Sequence, residues 1–237
     1  ENYQNVASVP FAANDAKIFS EYCHKTLGLP KENIKVYIDA TYGKILGALS
    51  TLKQISQAYK GDINVIFYYA GHGVPNEKNN EAYLLPADAT PSMLEACLPL
   101  SSLYSSIGSI DAKQVIVFMD ACFSGSRREN GMIVSARGVA IKPKKDIVTG
   151  NVVVFSAADG SETAYPYKEK GHGLFTYFLL KKLKESRGNV TLGDLADYIK
   201  TNVSQKSIVV NNKSQTPTIS SSAQMQDVWR TMKLFRK

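Results

Sequence analysis

Two short apolar runs, each ending in a glycine-flanked reactive side chain, constrain this chain of 237 residues more than any other feature. Residues 65–73 read Val-Ile-Phe-Tyr-Tyr-Ala-Gly-His-Gly, and residues 115–125 read Val-Ile-Val-Phe-Met-Asp-Ala-Cys-Phe-Ser-Gly. Each run predicts a buried strand that stops at a turn, the first carrying His72 and the second Cys122. Chemistry in an open parallel sheet collects beyond the carboxyl ends of the strands, so neighbouring strands would bring imidazole and thiol together. The pattern therefore indicates a thiol nucleophile with a nearby base.

Helical and strand-like segments alternate along the rest of the chain. Apolar residues at three-to-four spacing predict helices at 11–27, 42–58, 100–108, 174–183 and 189–203, with Thr191 capping the last. Further strands are predicted at 34–38, 82–85, 152–157 and 208–210. Such alternation favours an α/β fold, in which helices cover both faces of a mostly parallel sheet as a three-layer sandwich.

The net charge of +7 is local rather than general. It is concentrated in the segment 125–146 and in the tail from residue 230. This distribution does not form the broad basic face of a nucleic-acid-binding protein. No apolar run approaches the roughly 20 residues that a membrane span requires. The sequence begins with Glu rather than Met, so this end does not determine the location. A cytoplasmic location is slightly favoured, with secretion as the alternative if an N-terminal signal has been removed.

The remaining cysteines and histidines have simpler explanations. Cys23 lies on the apolar stripe of a predicted helix and Cys97 has no polar company, so both are interpreted as core thiols. No Cys-x-x-Cys pair or Cys/His cluster indicates a metal. His24 sits at a helix end and His172 lies in a second Gly-His-Gly that follows no apolar strand; both are interpreted as structural, His172 as a loop residue.

The paired turns resemble those of the caspase-like cysteine peptidases of clan CD, peptidase family C14, and in particular the metacaspase and bacterial orthocaspase branch. In that family, a strand ending in Ser/Ala-Gly-His-Gly carries the base and a strand ending in Asp-x-Cys-x-Ser-Gly carries the nucleophile. The resemblance covers most of the chain. It implies that Cys122 attacks the scissile carbonyl and that His72 activates the thiol or protonates the leaving amine. It also implies an oxyanion hole formed by the backbone N–H groups of Gly73 and Cys122.

Two carboxylates predict selectivity for basic residues. Asp120 stands two residues before the nucleophile, where Asp-specific caspases carry a neutral Gln. Asp15, in an Asn-Asp pair, resembles a pocket acid of the metacaspases. Two carboxylates in a partly desolvated slot favour Arg, with Lys accepted as a point charge. The plainer alternatives are a helix-start carboxylate for Asp15 and a turn-stabilising one for Asp120.

The strand 152–157 is similar to the family strand that runs beside the substrate. We expect Ser156 and Ala157 to present free backbone groups to an extended peptide, with an ordinary buried strand end as the alternative. Asp159 and Glu162, in the loop that follows, are expected either to support the pocket or to be solvated.

The basic segment after Cys122 corresponds to a region that members of this family often cut themselves. The candidate self-cleavage residues are Arg127, Arg128, Arg137, Lys144 and Lys145, whereas Lys142 precedes a proline and is a poor site. We therefore predict a single peptidase domain over 1–237, with a p20-like part at 1–126, a processing loop at 127–148 and a p10-like part at 149–237. The family's first core strand, which normally precedes this segment, has no counterpart from residue 1 onwards. It has been removed, is supplied by another chain, or belongs to a longer protein of which this sequence is a fragment.

The predicted reaction needs no cofactor. Some metacaspases use calcium, but the acidic residues here are scattered and form no dense acidic loop, so calcium dependence stays open. The expected partners are protein or peptide substrates with a basic residue before the cut, with neither nucleic acid nor membrane involved. A monomer is favoured over a sheet-edge dimer, although no residue pattern decides between them.

Three alternatives to a basic-specific cysteine endopeptidase remain. One is a non-enzymatic caspase homologue that acts as a scaffold, although such a protein has no reason to retain His72, Cys122 and Asp120 together. Another is the same dyad with selectivity for Asp, which Asp120 disfavours. A flavodoxin-like or nucleotide-binding module is the third, and the sequence contains neither a Gly-x-Gly-x-x-Gly after a strand nor a phosphate loop.

Overall fold

The computed structural model describes residues 2–124, 143–144 and 146–234. The helices are α1 (Ala12–Lys25), α2 (Tyr42–Ala58), α3 (Leu100–Gly108), α4 (Leu174–Ser186) and α5 (Leu192–Asn211). The strands are β1 (Asn64–Ala70), β2 (Gly73–Pro75), β3 (Ala82–Leu84), β4 (Leu98–Pro99), β5 (Gln114–Asp120), β6 (Val152–Ser156), β7 (Pro166–Tyr167), β8 (His172–Gly173) and β9 (Thr218–Ser221). None of the helices in these ranges is both long and apolar enough to cross a bilayer.

A four-stranded sheet in the order β1-β5-β6-β9 forms the centre of the molecule. β1, β5 and β6 run parallel, and β9 joins β6 in the antiparallel direction. β5 is buried along its whole length, as expected for a central parallel strand covered on both faces. The mostly parallel sheet expected from the sequence is thus present, and the segments before and after the basic stretch 125–145 share it through the β5–β6 ladder.

Two hydrophobic clusters cover the two faces of this sheet. Ile116 and Phe118 of β5 point into one cluster, together with buried residues of α1, α4 and α5. Val117 and Met119, which alternate with them, point into the other cluster with residues of α2 and α3. Successive side chains of a strand face opposite sides of the sheet, so β5 contributes to both clusters. The result is the expected three-layer arrangement.

Two small antiparallel sheets lie beyond the carboxyl ends of the central strands. β2, β3 and β4 form one, which begins at Gly73, directly after His72. β7 and β8 form the other, with Tyr167 opposite His172. Both sheets lie on the edge of the molecule where the reactive turns were expected.

Two predicted strands are wrong. The segment 34–38 follows a short 3-10 turn but forms no strand, because no strand of the described residues lies beside it. The segment 208–210 continues α5, which ends at Asn212 in the left-handed conformation with φ 51°. Val203 and Ser207 are buried at helical spacing, whereas Val209 is 76% exposed, so a helix explains this burial and an apolar strand does not. The strand β9 was not predicted.

The other element predictions are confirmed to within a few residues, except that the helix predicted at 189–203 continues to Asn211. The helix at 42–58 has the predicted ends. The Thr191 hydroxyl caps α5 by accepting a hydrogen bond from the backbone N–H of Asp194 at 3.1 Å.

Candidate active site

The register of β1 against β5 places the two reactive turns level with each other. Ala70 is paired with Asp120 as the last position of this parallel ladder. Both His72 and Cys122 follow two residues later on their own strands. The backbone N–H of Gly71 donates to the Asp120 carbonyl at 3.3 Å, which extends the contact past the ladder. Because β1 and β5 end at the same level, the histidine turn and the cysteine turn lie next to each other at the carboxyl ends of these strands.

Gly73 packs directly against the cysteine turn. A Cβ atom at this position would lie 2.7 Å from the Cys122 carbonyl oxygen and 2.3 Å from the Phe123 ring. Real Cβ atoms do not approach other atoms this closely, so only glycine fits here without a shift of the backbone. The glycine after His72 is thus explained by the close approach of the two turns.

The imidazole of His72 is held by the N-terminal segment. Its Nε2 lies 2.8 Å from the backbone carbonyl oxygen of Ala7, and the residue is 3% exposed. A carbonyl only accepts, so Nε2 carries a proton, and Nδ1 is the ring nitrogen that can gain or lose the second one. Sequence patterns gave no sign of Ala7, because a backbone carbonyl carries no residue signature.

Two tyrosines fix the backbone of the histidine turn. The His72 N–H donates to the Tyr3 hydroxyl at 2.9 Å, and the two rings lie 4.7 Å apart. The Tyr69 hydroxyl donates to the His72 carbonyl oxygen at 2.9 Å. Burial raises the pKa of Tyr69 well above its ordinary value, so this phenol keeps the proton that it donates. The backbone N–H and C=O groups of His72 are therefore both hydrogen-bonded to tyrosine hydroxyl groups.

The N–H of Gly73 points away from the small sheet to which this residue belongs. The Leu85 N–H donates to the His72 carbonyl, and the Asn76 N–H donates to the Glu81 carbonyl. In an antiparallel ladder, hydrogen-bonded and non-hydrogen-bonded pairs alternate. Gly73, paired with Leu84, therefore occupies a non-hydrogen-bonded position. Its N–H is directed to the side of the ladder away from β3.

The three cysteines differ in their surroundings, although all three are buried. Burial raises the pKa of Cys23 to about 12 and that of Cys97 to about 11, so both thiols stay protonated near neutral pH. Cys97 also lies 3.7 Å from the Met93 carbonyl oxygen, a contact of a structural thiol. The interpretation of Cys23 and Cys97 as core residues agrees with this chemistry, and Cys122 stands apart by its place in the turn.

Asp120 is fully buried and is held by two hydroxyl groups in series. The Thr176 hydroxyl donates to Asp120 Oδ2 at 2.6 Å. The Tyr68 hydroxyl lies 2.7 Å from the same threonine oxygen. Thr176 was missed in the sequence, although a polar residue inside the apolar start of α4 was the available signal. The carboxylate is therefore fixed in direction before any substrate arrives.

Asp15 is also fully buried, and it binds the second Gly-His-Gly turn. Its Oδ1 lies 2.6 Å from His172 Nδ1, and its Oδ2 accepts from the Gly173 N–H at 2.8 Å. The neighbouring Asn14 donates its side-chain amide to the Gly171 carbonyl at 3.0 Å. The interpretation of His172 as a loop residue is wrong, because the residue belongs to β8 and is hydrogen-bonded to Asp15.

Both predicted pocket acids thus meet the beginning of α4. Asp15 accepts from Gly173, the residue at the N-cap of that helix, and Asp120 accepts from Thr176 in its first turn. The N-terminus of a helix favours negative charge, since its N–H groups and dipole point outwards. This placement explains how two carboxylates are accommodated in the interior of one region.

The predicted backbone docking positions on β6 are not open. The Ala157 N–H donates to the Met119 carbonyl, and its carbonyl oxygen accepts from the Gln215 side chain at 2.9 Å. Ser156 lies between Met119 and Thr218 inside the sheet. The expectation of free backbone groups at these two residues is therefore wrong. β9 and the fully buried Gln215, neither of which was anticipated, occupy that side.

The acidic loop after β6 is tied together internally. Asp159 accepts from the Gly160 N–H at 2.6 Å and its carbonyl accepts from the Glu162 N–H. The Glu162 carboxylate accepts from the N–H of Thr216 at 2.5 Å and from its hydroxyl at 3.1 Å. Glu162 thus joins the loop to the segment before β9, and the binding role of Asp159 stays a prediction.

Most of the basic processing segment lies outside the described residues, including Arg127, Arg128, Arg137 and Lys145. Lys144 is described, and its ammonium forms an ion pair with Glu81 at 2.8 Å. Its N–H donates to the Asn80 carbonyl, so this lysine lies against the turn between β2 and β3. Over the described ranges, no group of three or more His, Cys, Asp or Glu residues is placed to hold a metal ion.

The model of the caspase domain matches residues 1–228. The chain belongs to the caspase-domain family. The resemblance read from the two turns is therefore confirmed at the level of the family.

Individual relatives agree with this assignment. A protein of Dictyostelium discoideum named "Paracaspase" is 28% identical over 158 residues, which are 67% of this chain and 36% of that protein. The matched part therefore spans about a third of that relative's length. The name of this relative is neither metacaspase nor orthocaspase. Membership of the metacaspase and orthocaspase branch therefore stays a prediction for this chain.

Solved structures show the same fold. Caspase-1 from Spodoptera frugiperda superposes with a TM-score of 0.64 at 15% identity, covering 93% of this chain and 82% of that one. A structural-genomics target from Geobacter sulfurreducens superposes with a TM-score of 0.61 at 18% identity, covering 90% and 84% respectively. At these identities the likeness concerns the fold, which is caspase-like.

Proposed function

We propose that this domain is a cysteine endopeptidase that hydrolyses peptide bonds after Arg or Lys through a dyad of Cys122 and His72. The observation that carries the proposal is the level register of β1 and β5, which sets Gly73 against the Cys122 carbonyl. An imidazole fixed by Ala7 beside a turn that bears a thiol is the arrangement that nucleophilic catalysis needs.

The proposed reaction begins with the basic nitrogen of His72. Because Nε2 is engaged by the Ala7 carbonyl, Nδ1 takes the thiol proton of Cys122. The thiolate attacks the scissile carbonyl carbon, and the protonated imidazole then gives its proton to the leaving amine as the C–N bond breaks. Water hydrolyses the resulting thioester, which restores the thiol and the neutral imidazole. The Ala7 carbonyl stabilises the imidazolium throughout as the third member of the arrangement.

The negative oxygen of the tetrahedral intermediate needs N–H donors that are fixed in position by the fold. We assign this role to the N–H groups of Gly73 and Cys122. The non-hydrogen-bonded position of Gly73 in its ladder supports the assignment. Preorganised donors at a developing oxyanion typically account for about 10²–10³ in rate.

Selectivity for a basic side chain is assigned to Asp15 and Asp120. Both carboxylates are buried at the start of α4. Asp120 accepts a hydrogen bond from the Thr176 hydroxyl, which in turn contacts the Tyr68 hydroxyl. A cationic side chain compensates buried negative charge, whereas an acidic one adds to it. The docking of the substrate backbone on β6 forms no part of this proposal.

Matched fluorogenic peptides test the proposal directly. Peptides that differ only in a final Arg, Lys or Asp are assayed with the wild type and with Cys122→Ala, each with and without calcium. We expect turnover of the Arg and Lys peptides, none by Cys122→Ala, and no requirement for calcium or another cofactor. Turnover of the Asp peptide would refute the roles of Asp15 and Asp120. A Cys122→Ala protein that retained turnover would refute the dyad.

A thiol-reactive peptide ketone separates an enzyme from a scaffold without requiring turnover. An Arg-terminated ketone is expected to modify Cys122 and to be found there by peptide mapping. Cys23 and Cys97 serve as internal controls, because burial keeps their thiols protonated at neutral pH. Labelling that is equal at the three cysteines, or absent from Cys122, would favour the non-enzymatic homologue.

Self-processing within 127–145 is part of the same proposal, since the segment is rich in the residues that an acidic pocket accepts. Intact-mass measurement of the wild type beside Cys122→Ala is expected to show cleavage in the wild type alone. A wild type that turns over Arg peptides and stays uncut would remove self-processing while leaving the peptidase. Size-exclusion chromatography of the same samples tests the proposed monomer.

A further inference from the structure

The turn 171–173 carries a histidine that the dyad does not use. His172 Nδ1 lies 2.6 Å from Asp15 Oδ1, and the His172 side chain is 17% exposed, whereas Asp15 is fully buried. Asp15 also accepts from the Gly173 N–H, so the carboxylate joins the histidine turn to α1 through two bonds. Of the two side chains in this pair, the imidazole is the one that solvent reaches, and it lies directly against the buried carboxylate.

We infer that His172 is a specificity-determining residue, which sets the negative charge that the proposed pocket presents to the basic side chain of a substrate. The inference rests on the proposed function, because Asp15 and Asp120 are the acids of that pocket. With His172 neutral, the pair carries the charge of Asp15. With His172 protonated, the pair is neutral and Asp120 is left as the carboxylate that attracts a cation.

The carboxylate assigns the tautomer of His172. An ionised carboxylate only accepts, so Nδ1 carries a proton in both charge states and Nε2 gains or loses the second one. The hydrogen bond to Asp15 therefore persists through the titration, and the charge of the pair changes while its geometry does not. Such a change alters the charge that the pair presents to a bound cation.

The charged and titratable groups around His172 come from four elements. They are Asp15 on α1, the turn residues Lys168, Glu169 and Lys170 before β8, Tyr177 on α4, and Lys206 on α5, which lies above the Tyr167 ring. Lysine and glutamate side chains ordinarily stay charged and tyrosine stays neutral between about pH 5.5 and 8, whereas an imidazole changes its charge in this range. Among these side chains, His172 is the group whose charge is expected to follow the pH.

The test compares two peptides that end in Arg or in citrulline, its neutral isostere. The ratio of their kcat/KM values is measured from pH 5.5 to 8 in the wild type. Titration of the shared dyad cancels in this ratio, so a remaining dependence reports the charge of the pocket. We expect the preference for Arg to fall by about tenfold at the acid end, as the loss of one nearby charge predicts. The change should lie mainly in KM.

His172→Asn is the informative variant, because its amide N–H replaces Nδ1 and its charge does not change with pH. We expect the Arg/citrulline ratio of this variant to be flat over the same range. His24→Asn is the matched control, since His24 Nδ1 contacts the Leu29 carbonyl at the other end of α1. The control is expected to keep the pH dependence of the wild type. A flat wild-type ratio, or an unchanged dependence in His172→Asn, would overturn the inference.

A binding measurement keeps the inference testable if turnover is lost. In Cys122→Ala, the proton NMR signal of His172, assigned with His172→Asn, is titrated with and without benzamidine. Because linkage is reciprocal, a cation that prefers the neutral imidazole must lower the titration midpoint of His172. Benzamidine that binds without moving this midpoint would overturn the inference alone. Failure of benzamidine to bind and of the Arg peptide to be cleaved would refute the proposed pocket and the inference with it.

Discussion

The same tripeptide, Gly-His-Gly, occurs twice in this chain and has different surroundings at 71–73 and at 171–173. The first follows a parallel strand, and its imidazole bonds to a backbone carbonyl through Nε2. The second closes a two-stranded hairpin, and its imidazole bonds to a buried carboxylate through Nδ1. A neutral acceptor orients a base, whereas a carboxylate stabilises the charged ring.

The comparison shows that the partner, rather than the flanking glycines, determines what each histidine does. Gly73 is required by the approach of another chain segment, since its Cβ would overlap the Phe123 ring. Gly171 is required by its own backbone, which has φ +67° with nothing within 4 Å of an added Cβ. The same residue type is thus required at the two positions for two unrelated physical reasons.

The largest expected difference between the turns is catalytic. His72→Ala is expected to lower kcat by about 10²–10⁴-fold, because it removes the proposed base for the thiol proton. His172→Asn at pH 8 is expected to leave kcat within about threefold of the wild type, since it does not contact the reacting atoms. Steady-state kinetics on the Arg peptide checks both. Equal losses of kcat in the two variants would end the distinction.

The second expected difference concerns Gly73 and Gly171, whose substitution should affect different properties. Gly73→Ala is expected to lower kcat by about 10–100-fold, because the new methyl group pushes the His72 and Cys122 turns apart. Gly171→Ala is expected to cost about 1 kcal/mol of unfolding free energy through its positive φ and to leave kcat nearly unchanged. Urea unfolding and kinetics on the same preparations decide this. A fully active Gly73→Ala protein would contradict the close packing of the turns.

A third difference concerns stability, and it acts on the partner of the second turn. Asp15→Asn is expected to lower the free energy of unfolding by about 1–3 kcal/mol. Both carboxylate oxygens accept N–H donors, so an amide that keeps the bond to Gly173 turns its own N–H towards His172, which must then move its ring proton to Nε2. Asn14→Ala, which removes one exposed bond to the same turn, is the milder control. Indistinguishable urea midpoints for the two variants would argue against the buried carboxylate clamp.

The smallest expected effect lies beside the first turn. Tyr3→Phe removes the acceptor of the His72 N–H but keeps the ring beside the imidazole, so we expect a loss of about 0.5–1.5 kcal/mol. Tyr59→Phe, at an exposed tyrosine, is the matched control and is expected to leave the melting temperature unchanged. If Tyr3→Phe behaves like this control, the N-terminal segment does not support the histidine turn.

Much of the fold followed from patterns that are local in the sequence. The run that became β5 is continuous and apolar because a central parallel strand is covered on both faces, and this signal is strong. The run that became β1 is equally apolar, although β1 lies at the edge of the sheet and most of its residues are only partly buried. β9 was missed because its Thr-Ile-Ser-Ser pattern is short and mostly polar. The segment 208–210 was mistaken for a strand because β-branched residues also occur on the exposed face of a helix.

The candidate site divides in the same way. His72, Cys122 and Asp120 were predictable, since each ends or follows an apolar run that sequence alone identifies. Ala7, Thr176 and His172 were not, because they come from distant segments that only the folded chain brings near. The pairing of Asp15 with His172 spans 157 positions, and periodicity within either segment contains no trace of it.

The β5–β6 ladder has a consequence for how the chain can be divided. Five paired positions and both hydrophobic clusters join the part before residue 125 to the part after residue 145. A cut between them would leave two polypeptides that remain one particle in solution and separate in denaturant. Because Cys122 lies on one piece and His172 on the other, co-expressing the halves as separate chains would make activity a reporter of their reassembly.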